Sequence, residues 1–199
     1  MNILVIHSHN ANRGDEAAVK AMVDELLIKY PGAKITISNN GFTPYPGMPE
    51  NVIQIDRFPK LESRIAQLEF FIVLLFKGKF ALTKEARKFI RALKEADVVL
   101  HAPGGPSIGD TYFKAEKLYL WRLNLIRRMG IPYIFYAPSM GPFNCASRNK
   151  LRKEVISGAE RIILRDPISV KYVKDFLPGV EVEQALDLSL IHISEPTRH

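Results

Sequence analysis

The run NILVIH over 2–7 holds four consecutive apolar residues, Ile3 to Ile6, between polar Asn2 and His7, the pattern of a strand covered on both faces of a parallel sheet. Over 15–29, Ala18, Val19, Met22, Val23, Leu26 and Leu27 recur at helical spacing before Pro31-Gly32, which predicts a helix that stops there. Strands are expected at 35–38 and 52–55, separated by a Pro- and Gly-rich loop over 41–49. A helix is expected over 61–76, with Leu61, Ile65, Leu68, Ile72 and Leu75 as one stripe and Phe70, Phe71, Val73, Leu74 and Phe76 on its other faces. It is too short to cross a bilayer, which takes about 20 apolar residues. A basic amphipathic helix over 84–95 follows. The alternation then resumes as strand 98–101, helix 114–129, strand 133–137, helix 148–157, strand 161–164, helix 167–176 and strand 180–183.

Strands alternating with helices of ten or more residues argue for an α/β fold, a Rossmann-like parallel sheet with right-handed crossovers flanked by helices. Ligands of such sheets bind at the carboxyl ends of the strands. The loops that matter are therefore those that follow the strands at 2–7, 98–101, 133–137 and 161–164.

Composition narrows the class. With 47% hydrophobic and 25% charged residues, 12 Gly and 13 Pro over 199 residues, collagen, a coiled coil and a disordered chain are excluded. Cys145 has no partner for an intramolecular disulfide; with no signal-like segment at Met1, a reducing, cytoplasmic compartment is expected. The net charge of +7, from 28 Lys and Arg against 21 Asp and Glu, favours encounter with phosphorylated substrates, membrane headgroups or nucleic acid. Nucleic acid is set aside, because basic residues such as Lys84, Arg87, Lys88 and Arg91 are scattered along helices without interleaved aromatics.

Each of the four loops has a structural and a functional reading. Gly14 allows a tight turn after the first strand, and Asp15 is either the N-cap of the next helix or a carboxylate held where it accepts a hydroxyl proton. The loop Ala102-Pro103-Gly104-Gly105-Pro106-Ser107-Ile108-Gly109-Asp110 brings backbone amides close to a ligand or simply connects strand to helix. Its GGxxxG spacing is not the dinucleotide fingerprint. The same pair of readings holds for Pro138-Ser139-Met140-Gly141-Pro142-Phe143. In Arg165-Asp166-Pro167-Ile168-Ser169, Pro167 starts a helix and Arg165 is a clamp for carboxylate or phosphate oxygens, or an ordinary surface arginine.

Taken in order, NRGDEA, PGGPSIGD, SMGP and LRDPIS, with Asp187 closing the next segment, resemble the N-terminal half of the polysaccharide pyruvyl transferase family over residues 2–187. Gly104-Gly105-Pro106 stands where many members carry three glycines. The resemblance implies a two-domain enzyme of the GT-B type, with residues 1–187 as the acceptor-side domain and a C-terminal domain missing. It implies transfer of pyruvate from phosphoenolpyruvate to a sugar, commonly as a ketal across two hydroxyls, in cell-surface polysaccharide or exopolysaccharide synthesis. No metal or other cofactor is called for. Asp15 would accept the sugar hydroxyl proton, and Arg165 would grip the donor's carboxylate or phosphate. Gly104, Gly105, Ser139 and Gly141 would line the cleft, and Asn12, Gly14, Asp110 and Ser169 would complete the substrate site. The acceptor would be a sugar or a lipid-linked saccharide. A membrane role for helix 61–76, flanked by Arg64, Lys77 and Lys79, stands as the alternative to packing on the sheet or on the missing domain; it would put the protein at the inner face of the plasma membrane.

Two other readings stay open. His7 and His9 share one side of a strand, with His101, Asp15 and Asp110 as neighbours in a metal-dependent hydrolase. The chain could instead be a sugar-binding domain without turnover. At the other end, one codon choice for Leu188 to Arg198 spells a transposase mosaic end joined to a sequencing-library adapter. Residues 188–199 are therefore expected to be a non-native tail and the chain an inactive fragment. A genuine terminal strand built on Leu190, Ile191 and Ile193 is the alternative.

Overall fold

The computed structural model describes residues 1–10, 12–40, 43–59 and 64–185. The chain opens with β1 (Asn2–Ser8), α1 (Arg13–Lys29), β2 (Lys34–Asn39), β3 (Val52–Asp56), α2 (Arg64–Leu75) and α3 (Lys84–Glu95). It continues through β4 (Val98–His101), β5 (Gly104–Ile108), α4 (Phe113–Met129), β6 (Tyr133–Tyr136), β7 (Pro138–Met140), α5 (Asn149–Ser157), β8 (Arg161–Leu164), α6 (Pro167–Phe176) and β9 (Glu183–Gln184). Residues 61–63 of the expected helix and the tail from 186 onward, Asp187 included, lie outside the described residues.

Successive side chains of β1 point to opposite faces, and each face has its own core. Ile3 and Val5 pack with Val19, Met22 and Val23 of α1, whereas Leu4 and Ile6 pack with Phe89 and Leu93 of α3. That double burial is why the strand reads as one apolar run. Seven strands form a parallel sheet in the order β3-β2-β1-β4-β6-β8-β9. The expected α/β class and parallel sheet are what the chain adopts.

Several expectations need correction. The segment at 180–183 pairs only at β9, while Val180 and Val182 turn inward against the core. The loops expected after Pro103 and Pro138 form a second, two-stranded parallel sheet from β5 and β7; their Gly and Pro content hides the strands, which show no alternation. Gly109 (φ 138°) sits so close to Gly141 that a Cβ on it would lie 2.5 Å from the Gly141 carbonyl oxygen. Two of the motif segments are thus zipped backbone to backbone, and a side chain at Gly109 has no room. Of the surfaces expected to cover the α2 stripe, the sheet is not the one it meets. Phe70 and Val73 are fully buried, and Ile65, Leu68 and Leu75 face out.

A buried ion network ties this second layer down. Glu116 on α4 and Arg152 on α5 are both 0% exposed and meet through Nε and Oε1 at 2.8 Å. Glu116 also accepts the Gly109 amide at 2.8 Å and Arg148 Nη1 at 2.9 Å. Arg152 Nη2 donates to Asp110 Oδ1 at 2.7 Å, and the Asn144 and Cys145 amides donate to the other Asp110 oxygen. Partial burial pushes the Asp110 carboxyl up, but the Arg152 bond and the two amides outweigh it and hold the group below its usual value.

Removing one partner of a buried ion pair leaves the other uncompensated. Arg152→Ala is therefore expected to cost about 3–5 kcal/mol of unfolding free energy. Lys171→Ala, which breaks the exposed pair with Asp175, is expected to leave the midpoint unchanged. Denaturant titration of the two variants checks the contrast.

Candidate functional site at the carboxyl ends of β1 and β4

In the order β2-β1-β4, the chain leaves β1 toward one side of the sheet, by α1 to β2, and enters β4 on the other side. This reversal is the topological switch point at which open α/β sheets form their crevice. A cleft of about 240 Å³ lies there, lined by His7, His9 and Asp15 after β1 and by His101, Gly104, Gly105 and Ser107 after β4, with Tyr119 of α4 forming one wall.

Asp15 reaches the cleft because another residue caps the helix. Asn12 is the N-cap, and its Oδ1 accepts the Gly14 amide at 2.6 Å and the Asp15 amide at 3.3 Å. The N-cap reading of Asp15 is thereby corrected: Asp15 stands in the first turn with its carboxylate free of capping. A Cβ on Gly104 would lie 2.9 Å from Asp15 Oδ1, so the glycine, at φ 142°, makes the space in which the carboxylate sits.

The three imidazoles are held neutral. Burial pushes the His101 pKa down to about 4 against the opposing pull of the Ala102 carbonyl. Its Nδ1 lies 2.9 Å from that carbonyl and donates to it, leaving Nε2 to accept from Ser107 Oγ at 2.8 Å. Burial is also the main reason that His9 is lowered, with Asp15 acting in the opposite sense. Its tautomer follows from a chain of donors. Fully buried Arg122 gives Nη1 to Asn40 Oδ1 at 2.6 Å, which turns Asn40 Nδ2 toward His9 Nε2 at 3.5 Å. An amide NH₂ only donates, so Nε2 accepts, from Asn40 and from the Tyr119 hydroxyl at 2.5 Å.

His7 differs from both. It is 4% exposed, has a left-handed φ of 61°, and neither ring nitrogen has a hydrogen-bond partner among the described residues. Burial, then the neighbouring His101 and Arg122, drives its pKa well below the ordinary value. Its ring packs 4.6 Å from that of His101 and 4.3 Å from that of Tyr119. A strained backbone and an unsatisfied buried side chain at one residue of a cleft are the kind of cost that functional sites carry.

The remaining expected site residues gather elsewhere. Ser139 Oγ donates to Asp166 Oδ2 and accepts from Arg165 Nε, each at 2.8 Å. Asp166 caps α6 through the Ser169 amide at 2.7 Å, while Ser169 Oγ accepts the Met140 amide at 2.9 Å. Partial burial raises the Asp166 carboxyl, and the bonds from Ser169 and Ser139, with Arg165 beside it, more than reverse this. Gly141 packs under Tyr172, Asp110 sits in the Arg152 network, and Gly14 is exposed in the first turn of α1. Of the expected site residues, Gly14, Asp110, Ser139, Gly141, Arg165 and Ser169 do not line the cleft. Asp15, Gly104 and Gly105 do, and Asn12 acts through its cap.

Sequence reasoning left out Ser107 and Tyr119, and placed the histidines only in the metal reading. Tyr119 lies in the middle of α4, where no loop motif signals it. Asp110, named with the metal group, is engaged by Arg152 instead, and among the described residues no three His, Cys, Asp or Glu side chains group so as to hold a metal ion.

Because His7 and His101 are neutral in the fold but titrate near 6.5 when unfolded, the unfolded state takes up protons first as pH falls. Stability present above about pH 6.5 is then lost progressively toward the folded value of about 4 for His101. Melting temperature is expected to fall over that window, and less steeply in His101→Gln. Thermal scans across the window check it.

The family model for polysaccharide pyruvyl transferase matches residues 12–198, nearly the whole chain. No curated protein matches the sequence. A solved chain of sucrose-phosphate synthase from Thermosynechococcus elongatus aligns with a TM-score of 0.49 at 12% identity, over 97% of this chain and 94% of that one; nothing is argued from so distant a likeness. On the family match, the chain belongs to the polysaccharide pyruvyl transferase family.

Proposed function

We propose that this family member binds the acceptor saccharide in the β1/β4 cleft and serves transfer of pyruvate from phosphoenolpyruvate to two of its hydroxyls. One hydroxyl oxygen adds to C2 of the donor as C3 gains a proton, and the second displaces phosphate to close the ketal. Of the two hydroxyl protons lost, one balances the new methyl group and the other leaves with phosphate.

The observation that carries the acceptor assignment is the Asp15 carboxylate facing a cleft whose other titratable lining groups are neutral imidazoles and phenols. Such groups accept and donate hydrogen bonds to sugar hydroxyls, and among the described residues no Lys or Arg lines the cleft to hold a trianionic donor. His7, with two unpartnered nitrogens, is an acceptor for one sugar hydroxyl. Asp15 takes the proton of the attacking one. The donor's anionic groups fall to Arg165, and the rest of the donor site to a second domain, so residues 1–199 alone have no turnover. Both points rest on the family resemblance.

In an enzyme carrying both domains, Asp15→Asn is expected to lower kcat by roughly 10² to 10⁴. The melting temperature should change little, because Asn12 still caps α1. Gly104→Ala, whose methyl group meets the Asp15 carboxylate, is expected to impair turnover in the same direction. Arg165→Lys should raise the donor KM, since a point charge does not reproduce a bidentate grip. Acceptor-dependent release of phosphate from phosphoenolpyruvate measures all three. Near-normal kcat in Asp15→Asn assigns that residue to structure, and pyruvylation by the 199-residue chain alone overturns the two-domain reading. Saccharide binding by that chain, detected by calorimetry and weakened by His7→Ala, is expected.

A further inference from the structure

The outer face of α2 is unlike the rest of the surface. Ile65 is 76% exposed, Leu68 63% and Leu75 65%, and Phe71, Phe76, Phe80 and Leu82 are exposed too. Their spacing makes one stripe along the helix and its following turn, while Phe70 and Val73 on the opposite face are buried. Soluble surfaces seldom leave so many neighbouring large apolar side chains in water without a use for them.

What surrounds the stripe is cationic. From residue 64 to the end of α3 at residue 95 the chain carries eight basic residues, Arg64, Lys77, Lys79, Lys84, Arg87, Lys88, Arg91 and Lys94, against Glu69, Glu85 and Glu95, the last paired with Arg91. Glu69 is buried, and its carboxylate accepts the Leu82 and Thr83 amides and the Thr83 hydroxyl at 2.7 to 2.8 Å. It therefore fixes the α2–α3 turn and offers no charge outside. Gly78 (φ 77°) packs against Ile90 of α3. This lays the turn beside a groove lined by Lys79, Arg87, Arg91, Lys94 and Glu95, in which Glu95 holds Arg91 at 2.7 Å and leaves Lys79, Arg87 and Lys94 in excess, so the apolar end of α2 and the basic face of α3 adjoin.

We propose that the α2–α3 hairpin docks on an anionic membrane surface, with Leu75, Phe76, Phe80 and Leu82 entering the headgroup boundary and the Lys79–Arg87–Lys94 groove receiving lipid phosphates. An apolar face flanked by cations of one sign is the pattern of an interfacial helix. No helix among the described residues is long and apolar enough to span a bilayer, so the contact is peripheral. This surface is separate from the β1/β4 cleft, and the proposal stands whether or not the cleft transfers pyruvate.

The test is sedimentation of the 199-residue protein with vesicles of phosphatidylcholine alone or mixed with phosphatidylglycerol. Emission of Trp121, the single tryptophan, which stacks on Phe70 of α2, gives a second readout. Pelleting and an emission shift are expected with the anionic vesicles only, and loss of both in about 1 M salt, where charges are screened within about 3 Å. Because their side chains are exposed, Leu75→Asp with Phe80→Asp should fold normally by circular dichroism and lower the partition coefficient at least about tenfold. Lys79→Glu with Arg87→Glu should do the same, and Ile28→Asp on exposed α1 should not. The proposal is overturned by no pelleting at low salt, by equal pelleting with neutral vesicles, or by binding that survives both double variants. It is also overturned by a lipid-free dimer, seen by analytical ultracentrifugation, that Leu75→Asp dissolves, because the occupant is then a second copy.

Discussion

The position of β1 between β2 and β4 is the constraint from which the site follows. A parallel strand flanked on both sides must be buried on both faces, which is why Ile3 to Ile6 are all apolar and why, after Asn2, polar side chains appear only at its carboxyl end. Those side chains are His7, Ser8 and His9, and they emerge where α1 and the β4–β5 segment part. Burial that continues past the apolar run leaves His7 inside the fold with a polar ring and no partner. The cleft is thus a by-product of the sheet order, and its neutral electrostatics follow from the same burial.

The second sheet explains why the glycine-rich motifs have such definite spacing. β5 and β7 pair Gly104 with Pro138 and Ile108 with Met140, and the Gly109–Gly141 approach locks the end of the pair. Gly104 opens the motif beside Asp15, and Asp110 closes it in the Arg152 network. One short strand therefore joins the cleft wall that faces Asp15 to the buried ion pairs of Glu116 and Arg152. Arg122 does the corresponding work on the other wall. Its Nε donates to the Phe58 carbonyl at 2.5 Å while Nη1 orients Asn40 and, through it, His9.

Much of this was legible in the chain and some was not, for physical reasons that differ by element. Helices α3 and α6 have the bounds their periodicity predicts, since an N-cap at Thr83 and Pro167 after Asp166 mark their starts. The stripe on α2 was legible but its cover was not, because hydrophobic period shows which residues share a face and not what packs on it. With apolar residues on every side of the helix, only packing decides, and Trp121 and Phe58 take Phe70 inward. Strands β5 and β7 carry no alternation, and Tyr119 enters the cleft from mid-helix, so neither had a local signal. Asp15 was legible as a residue of interest, but its freedom from capping depends on Asn12, three positions earlier, taking that role.

Charge in this protein is segregated rather than spread. Despite the excess of seven positive charges, no lysine or arginine is among the described residues that line the cleft. Arg152 and Arg148 are spent on Glu116 inside the fold, and a solvent-facing share falls on the α2–α3 hairpin. A cationic cleft would draw anions into competition with an uncharged saccharide, whereas cations on an outer hairpin act at range without entering the site. Desolvated imidazoles make the separation sharper, because protonating them to admit an anion would cost the free energy that lowered their pKa values in the first place. The same burial that keeps the three histidines uncharged thus leaves the Asp15 carboxylate as the one charged side chain among the described residues that line the cleft.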